Sequence, residues 1–141
     1  MLFFPEIDET KTIKRAVRKL KEYQRWRRVA GEVGEQKVTQ VFTFEPRGGG
    51  GVSKPIENIV ARKDEAEREL EAIEQAVSGL LDPLQRRLLA ERFLLNDSER
   101  IKDYAVYTSI GLSHTSYYEE RDKALLAFAE LYRHGVLLVE K

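Results

Sequence analysis

At 141 residues and 16.3 kDa the chain has room for one domain, or for one small domain with helical attachments. An apolar fraction of 42% is too high for a fully disordered chain, and apolar runs of a few residues, such as Val136 to Val139, are too short for a membrane span. The absence of cysteine removes disulfides, thiolate metal sites and thiol nucleophiles, and two histidines, His114 and His134, cannot build a His-rich metal site. The N-terminus lacks the basic flank and longer apolar stretch of a secretory signal, so a cytoplasmic protein is expected.

The zero net charge conceals an asymmetry. Residues 11–28 hold nine basic side chains against Glu22 alone, whereas residues 57–75 hold seven acidic against three basic. Two readings stand side by side: solvated helix faces that attract each other, or a nucleic-acid footprint on the basic block.

In chain order, Ile13, Ala16, Val17, Leu20, Tyr23 and Ala30 recur at helical spacing and predict a helix over about residues 10–30, capped by Asp8 or Thr10 and ended by Gly31. Residues 1–31 thus form a basic N-terminal helical segment. Residues 32–54 form a connector with glycines at 34 and 48–51 and a proline at 46. Within it, Val38 to Phe44 has strand-like composition but no evident partner strand. Residues 55–80 predict a long acidic amphipathic helix that begins at Pro55 and carries the stripe Ile56, Ile59, Ala66, Leu70, Ile73, Val77 and Leu80, interrupted by Lys63. That stripe packs within the chain or across a dimer.

Residues 82–141 predict three compact helices and a tail. Asp82-Pro83 caps the first, whose apolar face is Leu84, Leu88, Leu89, Phe93 and Leu94. The second ends at Ile110, with Asp97, Ser98 or Asp103 available to cap it. The third starts after Ser113 and runs to about His134, with Gly135 ending it and the apolar positions Tyr117, Ala124, Leu125, Phe128, Ala129, Leu131 and Tyr132. The Val136–Val139 tail packs back on the core. The fold class is all-α.

The functional signal lies in Val106 to Tyr118. A short helix, an Ile110-Gly111-Leu112 turn, a capping Ser113 and a longer helix make a helix-turn-helix pattern. The first turns of the last helix offer His114, Thr115, Ser116, Tyr118 and Glu119 to base edges or phosphates, with Lys123 a turn further on near the phosphates. Ser116 and Glu119 share a face; Tyr117 belongs to the core. An ordinary helical hairpin needs the same glycine and cap, and the polar first turn is what favours DNA. Two positions depart from a generic motif: Tyr107, where a small residue is usual, and Glu120, where an apolar one is common. Residues 101–141 carry five basic and six acidic side chains, a poor charge balance for phosphate. Lys14, Arg15, Arg18, Lys21 and Arg25 of the basic segment would supply the missing contacts if they fold beside the reading helix.

Asp82 to Leu89 with Arg92-Phe93-Leu94 resembles the opening helix of the region-4-like domain of sigma factors. More narrowly, Val106-Tyr107, Ile110 to Ser113, Ser116-Tyr117-Tyr118 and Lys123 to Glu130 resemble the ArpU family of phage late transcriptional regulators, in which a tyrosine at the position of Tyr107 is typical. The basic first helix, the glycine-bearing connector and the acidic helix follow the same layout. The resemblance implies a sequence-specific DNA-binding regulator of phage or prophage late genes, with a C-terminal helix-turn-helix domain similar to sigma region 4. Double-stranded DNA is the expected partner; the poor charge balance of residues 101–141 would call for help from RNA polymerase if the basic segment does not supply it, and the central stripe offers a surface for a second copy.

A phage DNA-packaging assembly protein, similar to a small terminase subunit, is the alternative, because such proteins also join a helix-turn-helix to a long oligomerising helix. An enzyme is not expected, nor a cofactor or a metal. The glycine run at 48–51 lacks the Lys-Ser or Lys-Thr of a phosphate loop, and adjacent Glu119 and Glu120 point to different sides of a helix.

Overall fold

The computed structural model describes residues 6–31, 53–98 and 100–141, with side chains from residue 61 onward in the second stretch. The fold is all-α. The possible strand at Val38–Phe44 and the glycine run lie outside the described residues, as do the side chains of Ile56 and Ile59. Two compact units are distinguished, Met1–Tyr23 with Ala72–Lys141, and Gln24–Glu71.

Helix α1 spans Glu9–Lys21. The extended Asp8 caps it, its Oδ1 accepting the Lys11 N–H at 3.0 Å. Glu9 in its first turn and Arg18, Lys19 and Lys21 in its last suit the helix dipole. Thr12, Ala16 and Leu20, four apart, are fully buried. The single helix expected over 10–30 is interrupted at Glu22, whose N–H turns to the Lys19 carbonyl at 3.1 Å, while the Lys19–Glu22 ion pair at 3.0 Å straddles the joint. This tighter bonding ends α1, and α2 restarts at Tyr23–Ala30.

Helix α3 spans Ser53–Ser78, beginning two residues before the expected Pro55. Ala66, Leu70, Ile73 and Val77 of the predicted stripe are buried, as is Leu80 just beyond the helix, and Lys63 is half-buried.

Helix α4, Pro83–Leu89, starts as its sequence dictates: Asp82 Oδ1 accepts the Leu84 N–H at 2.8 Å and Pro83 occupies the first turn. Its expected continuation to Leu94 widens instead into a π-turn, Ala90–Leu94, closed by the Leu95 N–H on the Ala90 carbonyl at 2.7 Å. Arg92, within that turn, is only 9% exposed beside the fully buried Phe93. Helix α5 spans Asp103–Ile110. Its N-cap is Lys102, which makes no side-chain capping bond, so Asp103 is its first residue. Asp97 instead closes a turn with its carbonyl, accepting the N–H groups of Arg100 and Ile101.

Helix α6, His114–Leu131, packs against both α1 and α4, and α5 lies against it as well. Tyr117, Ala124, Leu125, Phe128 and Ala129 lie on its buried face with no exposed area. It stops short of the expected His134. Tyr132 is held in the core, stacked on Phe128 at 5.7 Å, and the chain reverses through Arg133, His134 and Gly135, all with positive φ. Leu131, expected on the apolar face, is 46% exposed. The reversal returns the tail to the start of α1. The Asp8 N–H donates to the Val139 carbonyl at 2.7 Å, the Val139 N–H to Thr12 Oγ1 at 3.0 Å, and Ile7 bridges Glu140 in antiparallel fashion. Within that tail Val136 remains 60% exposed.

Candidate nucleic-acid interface

Helices α5 and α6 meet at Gly111, whose φ of 87° and ψ of 27° place it in the left-handed region. The N–H groups of Gly111 and Leu112 both donate to the Tyr107 carbonyl at 2.9 Å, which ends α5. Ser113 is extended, and its Oγ accepts the Ser116 N–H at 3.2 Å. The cap therefore uses one of the free donors at the start of α6 and leaves the side chains of its first turn pointing out.

His114, Thr115, Ser116 and Glu119 are exposed, as is Lys123, whose Nζ sits 3.8 Å from Glu120. Tyr117 is buried as expected. Tyr118 is different. It is half-buried, its hydroxyl lies 3.4 Å from Asp103 Oδ2, and its ring rests on His114 at 4.8 Å and Tyr117 at 5.0 Å. It is turned toward the helix junction, so of the six α6 positions expected to face outward it alone is partly enclosed. The two atypical motif positions have local explanations. Glu120 accepts from Gln85 Nε2 of α4 at 3.2 Å, which makes a polar residue suitable there. Tyr107 fills the gap between the helices with a ring 5.4 Å from Tyr117 and 5.9 Å from His114.

Behind the turn lies a polar joint that sequence reasoning missed. Asp103 Oδ1 accepts from Tyr117 Oη at 2.5 Å and from Arg92 Nε at 2.9 Å, and Arg121 Nε approaches to 3.7 Å. Arg92 also donates to the Ser98 carbonyl at 3.1 Å. Burial alone pushes the Asp103 carboxyl up; the Tyr117 and Arg92 hydrogen bonds and the Arg92 and Arg121 charges outweigh it and hold the group below its ordinary value. Burial, and after it the contact with Asp103, push the Tyr117 hydroxyl well up. One carboxylate thus ties the π-turn, the start of α5 and the second turn of α6. A signal existed in the sequence: Arg121 falls four residues after Tyr117, in line with the buried face of α6, and a charge there requires a buried partner.

On α1, Lys14, Arg15, Arg18 and Lys21 are exposed, and Arg25 on α2 is exposed in the other unit. Arg15, Arg18, Lys19 and Glu22 line a groove of about 370 Å³ whose other wall is Leu137 of the tail. Lys19 Nζ stands 5.5 Å from the centre of the Tyr132 ring, so this basic groove lies at the end of α6 opposite Ser113. The sixteen residue-to-residue steps from Ser116 to Tyr132 correspond to about 24 Å of helix. The basic helix and the α5–α6 turn therefore lie at opposite ends of α6 and do not form one patch.

Among the described residues no group of three or more His, Asp or Glu side chains is placed to hold a metal ion, and no helix is long and apolar enough to cross a membrane.

No protein-family model matches the chain, and no solved structure matches it significantly. It is similar along its whole length to two proteins that carry the name autolysin regulatory protein ArpU. One, from Streptococcus phage O1205, is 51% identical over 140 residues, covering 99% of this chain and 100% of the relative. The other, from Enterococcus hirae, is 30% identical over 142 residues and covers both chains completely. With end-to-end similarity at these levels, the chain belongs to the ArpU family of autolysin regulatory proteins.

Proposed function

We propose that this chain is a sequence-specific DNA-binding transcriptional regulator of phage or prophage late genes, working in the cytoplasm of the bacterial host. The observation that carries the reading is the α5–α6 junction. A left-handed glycine and a capping serine leave His114, Thr115, Ser116 and Glu119 exposed at the start of a helix whose opposite face is locked into the core. An exposed polar helix start of this kind is what enters a major groove, where Ser accepts or donates and Glu accepts from the cytosine amino group. The name shared by the relatives, a regulatory protein of autolysin, and the phage origin of one of them agree with control of late genes.

In this reading α6 presents its first turns to base edges. The exposed cations of α1 then reach phosphates at the other end of the same helix, roughly seven base pairs away at 3.4 Å per pair. The α4 to α6 arrangement would act as a region-4-like head, which makes host RNA polymerase the natural protein partner.

Fluorescence anisotropy with duplex fragments from the chain's own genomic neighbourhood, run across a salt series, tests this. Tight binding to one fragment and weak, strongly salt-dependent binding to the rest is the expected result. Equal affinity for every fragment would reduce the chain to a nonspecific binder, and no binding at low salt would sink the reading.

A further inference from the structure

The head formed by α5 and α6 poses an electrostatic difficulty. Residues 101–141 hold one more acidic than basic side chain. Arg121 points inward with 18% of its side chain exposed, Lys123 lies beside Glu120, and of the described cations on α5, the turn and α6 this leaves only Lys102, the N-cap of α5, exposed outside an ion pair. Duplex DNA nonetheless has to be held by its phosphates to bring any side chain to a base edge.

A row of rings offers another kind of donor. Tyr104 and Tyr107 of α5 meet edge to face at 5.3 Å, Tyr107 meets His114 of α6 at 5.9 Å, and His114 meets Tyr118 at 4.8 Å. The row thus begins on α5, crosses the turn and ends within the proposed reading surface. Tyr104 is 67% exposed and Tyr107 half-buried, and no hydrogen bond among the described residues engages either hydroxyl. Tyr118, whose hydroxyl faces Asp103, is already occupied. Each tyrosine has only two side-chain torsions, and edge-to-face contacts restrict them further, so the donors are held in place before DNA arrives.

Resting on the DNA-binding reading, we propose that Tyr104 and Tyr107 are phosphate-contacting residues, and that the head grips the phosphodiester backbone through uncharged hydroxyl donors instead of lysine and arginine. A phenol hydroxyl donates to a phosphate oxygen without carrying a charge. It therefore adds affinity without adding the counterion release that makes binding salt-dependent. The head contributes salt-insensitive contacts, and α1 supplies the salt-dependent ones.

The test uses the full chain and a mixed-sequence duplex, with anisotropy measured over a salt series. Tyr104→Phe and Tyr107→Phe keep the ring contacts and should leave the melting temperature unchanged. Each should weaken duplex binding by roughly ten- to a hundredfold, the scale of one hydrogen bond to a charged acceptor, at every salt concentration and with an unaltered salt slope. Arg15→Gln with Arg18→Gln should instead lower the slope by about one per lost contact. Wild-type affinity in the double Phe variant, with duplex binding otherwise intact, would overturn the proposal, and so would a salt slope that falls with the hydroxyls. If the wild-type chain binds no duplex, the DNA-binding reading fails first and this one with it.

Discussion

Tyr117 and Asp103 are joined by a hydrogen bond of 2.5 Å that connects the second turn of α6 to the first residue of α5. Because Asp103 also receives Arg92 at 2.9 Å, the angle between the two helices is set by a charged group and not by apolar packing alone. The Gly111 turn makes the reversal possible; Asp103 fixes its far side.

Removing that carboxylate leaves Arg92, with only 10% of its side chain exposed, without its counter-charge. Asp103→Ala should cost about 3 kcal/mol, the scale for breaking one side of a largely buried pair. Asp103→Asn keeps an acceptor and should cost about 2 kcal/mol. Urea denaturation followed by circular dichroism measures both. Losses below half a kilocalorie would mean the joint is dispensable.

The same group predicts a pH dependence. Its folded carboxyl lies below the ordinary value of 3.8, so the folded state favours the ionised form. The stability it contributes is present in full above the unfolded value and is lost as pH falls through the folded one. Between neutral pH and pH about 5 the gap between wild type and Asp103→Asn should be constant, and it should narrow in stronger acid. A gap that stays constant into strong acid would assign the effect to shape instead of charge.

Gly111 provides a backbone test. A Cβ placed there meets nothing within 4 Å, so its φ of 87° is the sole objection to a side chain. Gly111→Ala should therefore cost only the left-handed penalty of about 1–2 kcal/mol, and Gly111→Asn less. Thermal unfolding of both variants decides it; equal losses for Ala and Asn would point to a steric cause the geometry does not contain.

The elements that were legible in the sequence are those governed by local rules. Asp8, Asp82 and Ser113 cap the helices they precede, Gly111 takes the left-handed turn, and Tyr117, Ala124, Leu125 and Phe128 are buried at the spacing that predicted them. What was not legible, apart from the break at Glu22, depends on contacts distant in sequence. The break at Glu22 arises from a local tightening that periodicity does not register. The π-turn at Ala90–Leu94 accompanies the turn of Arg92 toward Asp103, eleven residues on. Tyr118 looked outward because its neighbour Tyr117 is inward, but its hydroxyl lies beside that same carboxylate. In the sequence the joint is marked by Arg121 alone, a charge in line with a buried face.

The sharpest separation of roles is between neighbouring residues of α6. Ser116 and Glu119 are exposed, three apart, and on the side away from the core, whereas Tyr117 is fully buried. If α6 reads DNA, Ser116→Ala or Glu119→Ala should cost about 1–3 kcal/mol of affinity at one base-pair position and relax the preference there. Neither should move the melting temperature, since exposed side chains without buried contacts contribute little to stability. Tyr117→Ala should do the opposite and cost about 3–5 kcal/mol of stability, because it opens a cavity and removes one of the donors to Asp103. A selection of bound sequences from a randomised duplex pool, run for wild type and each exposed variant, reads the preference base by base. Altered folding with an unchanged preference in the two exposed variants would reduce α6 to scaffold, and the sequence-reading surface would have to be sought elsewhere on the chain.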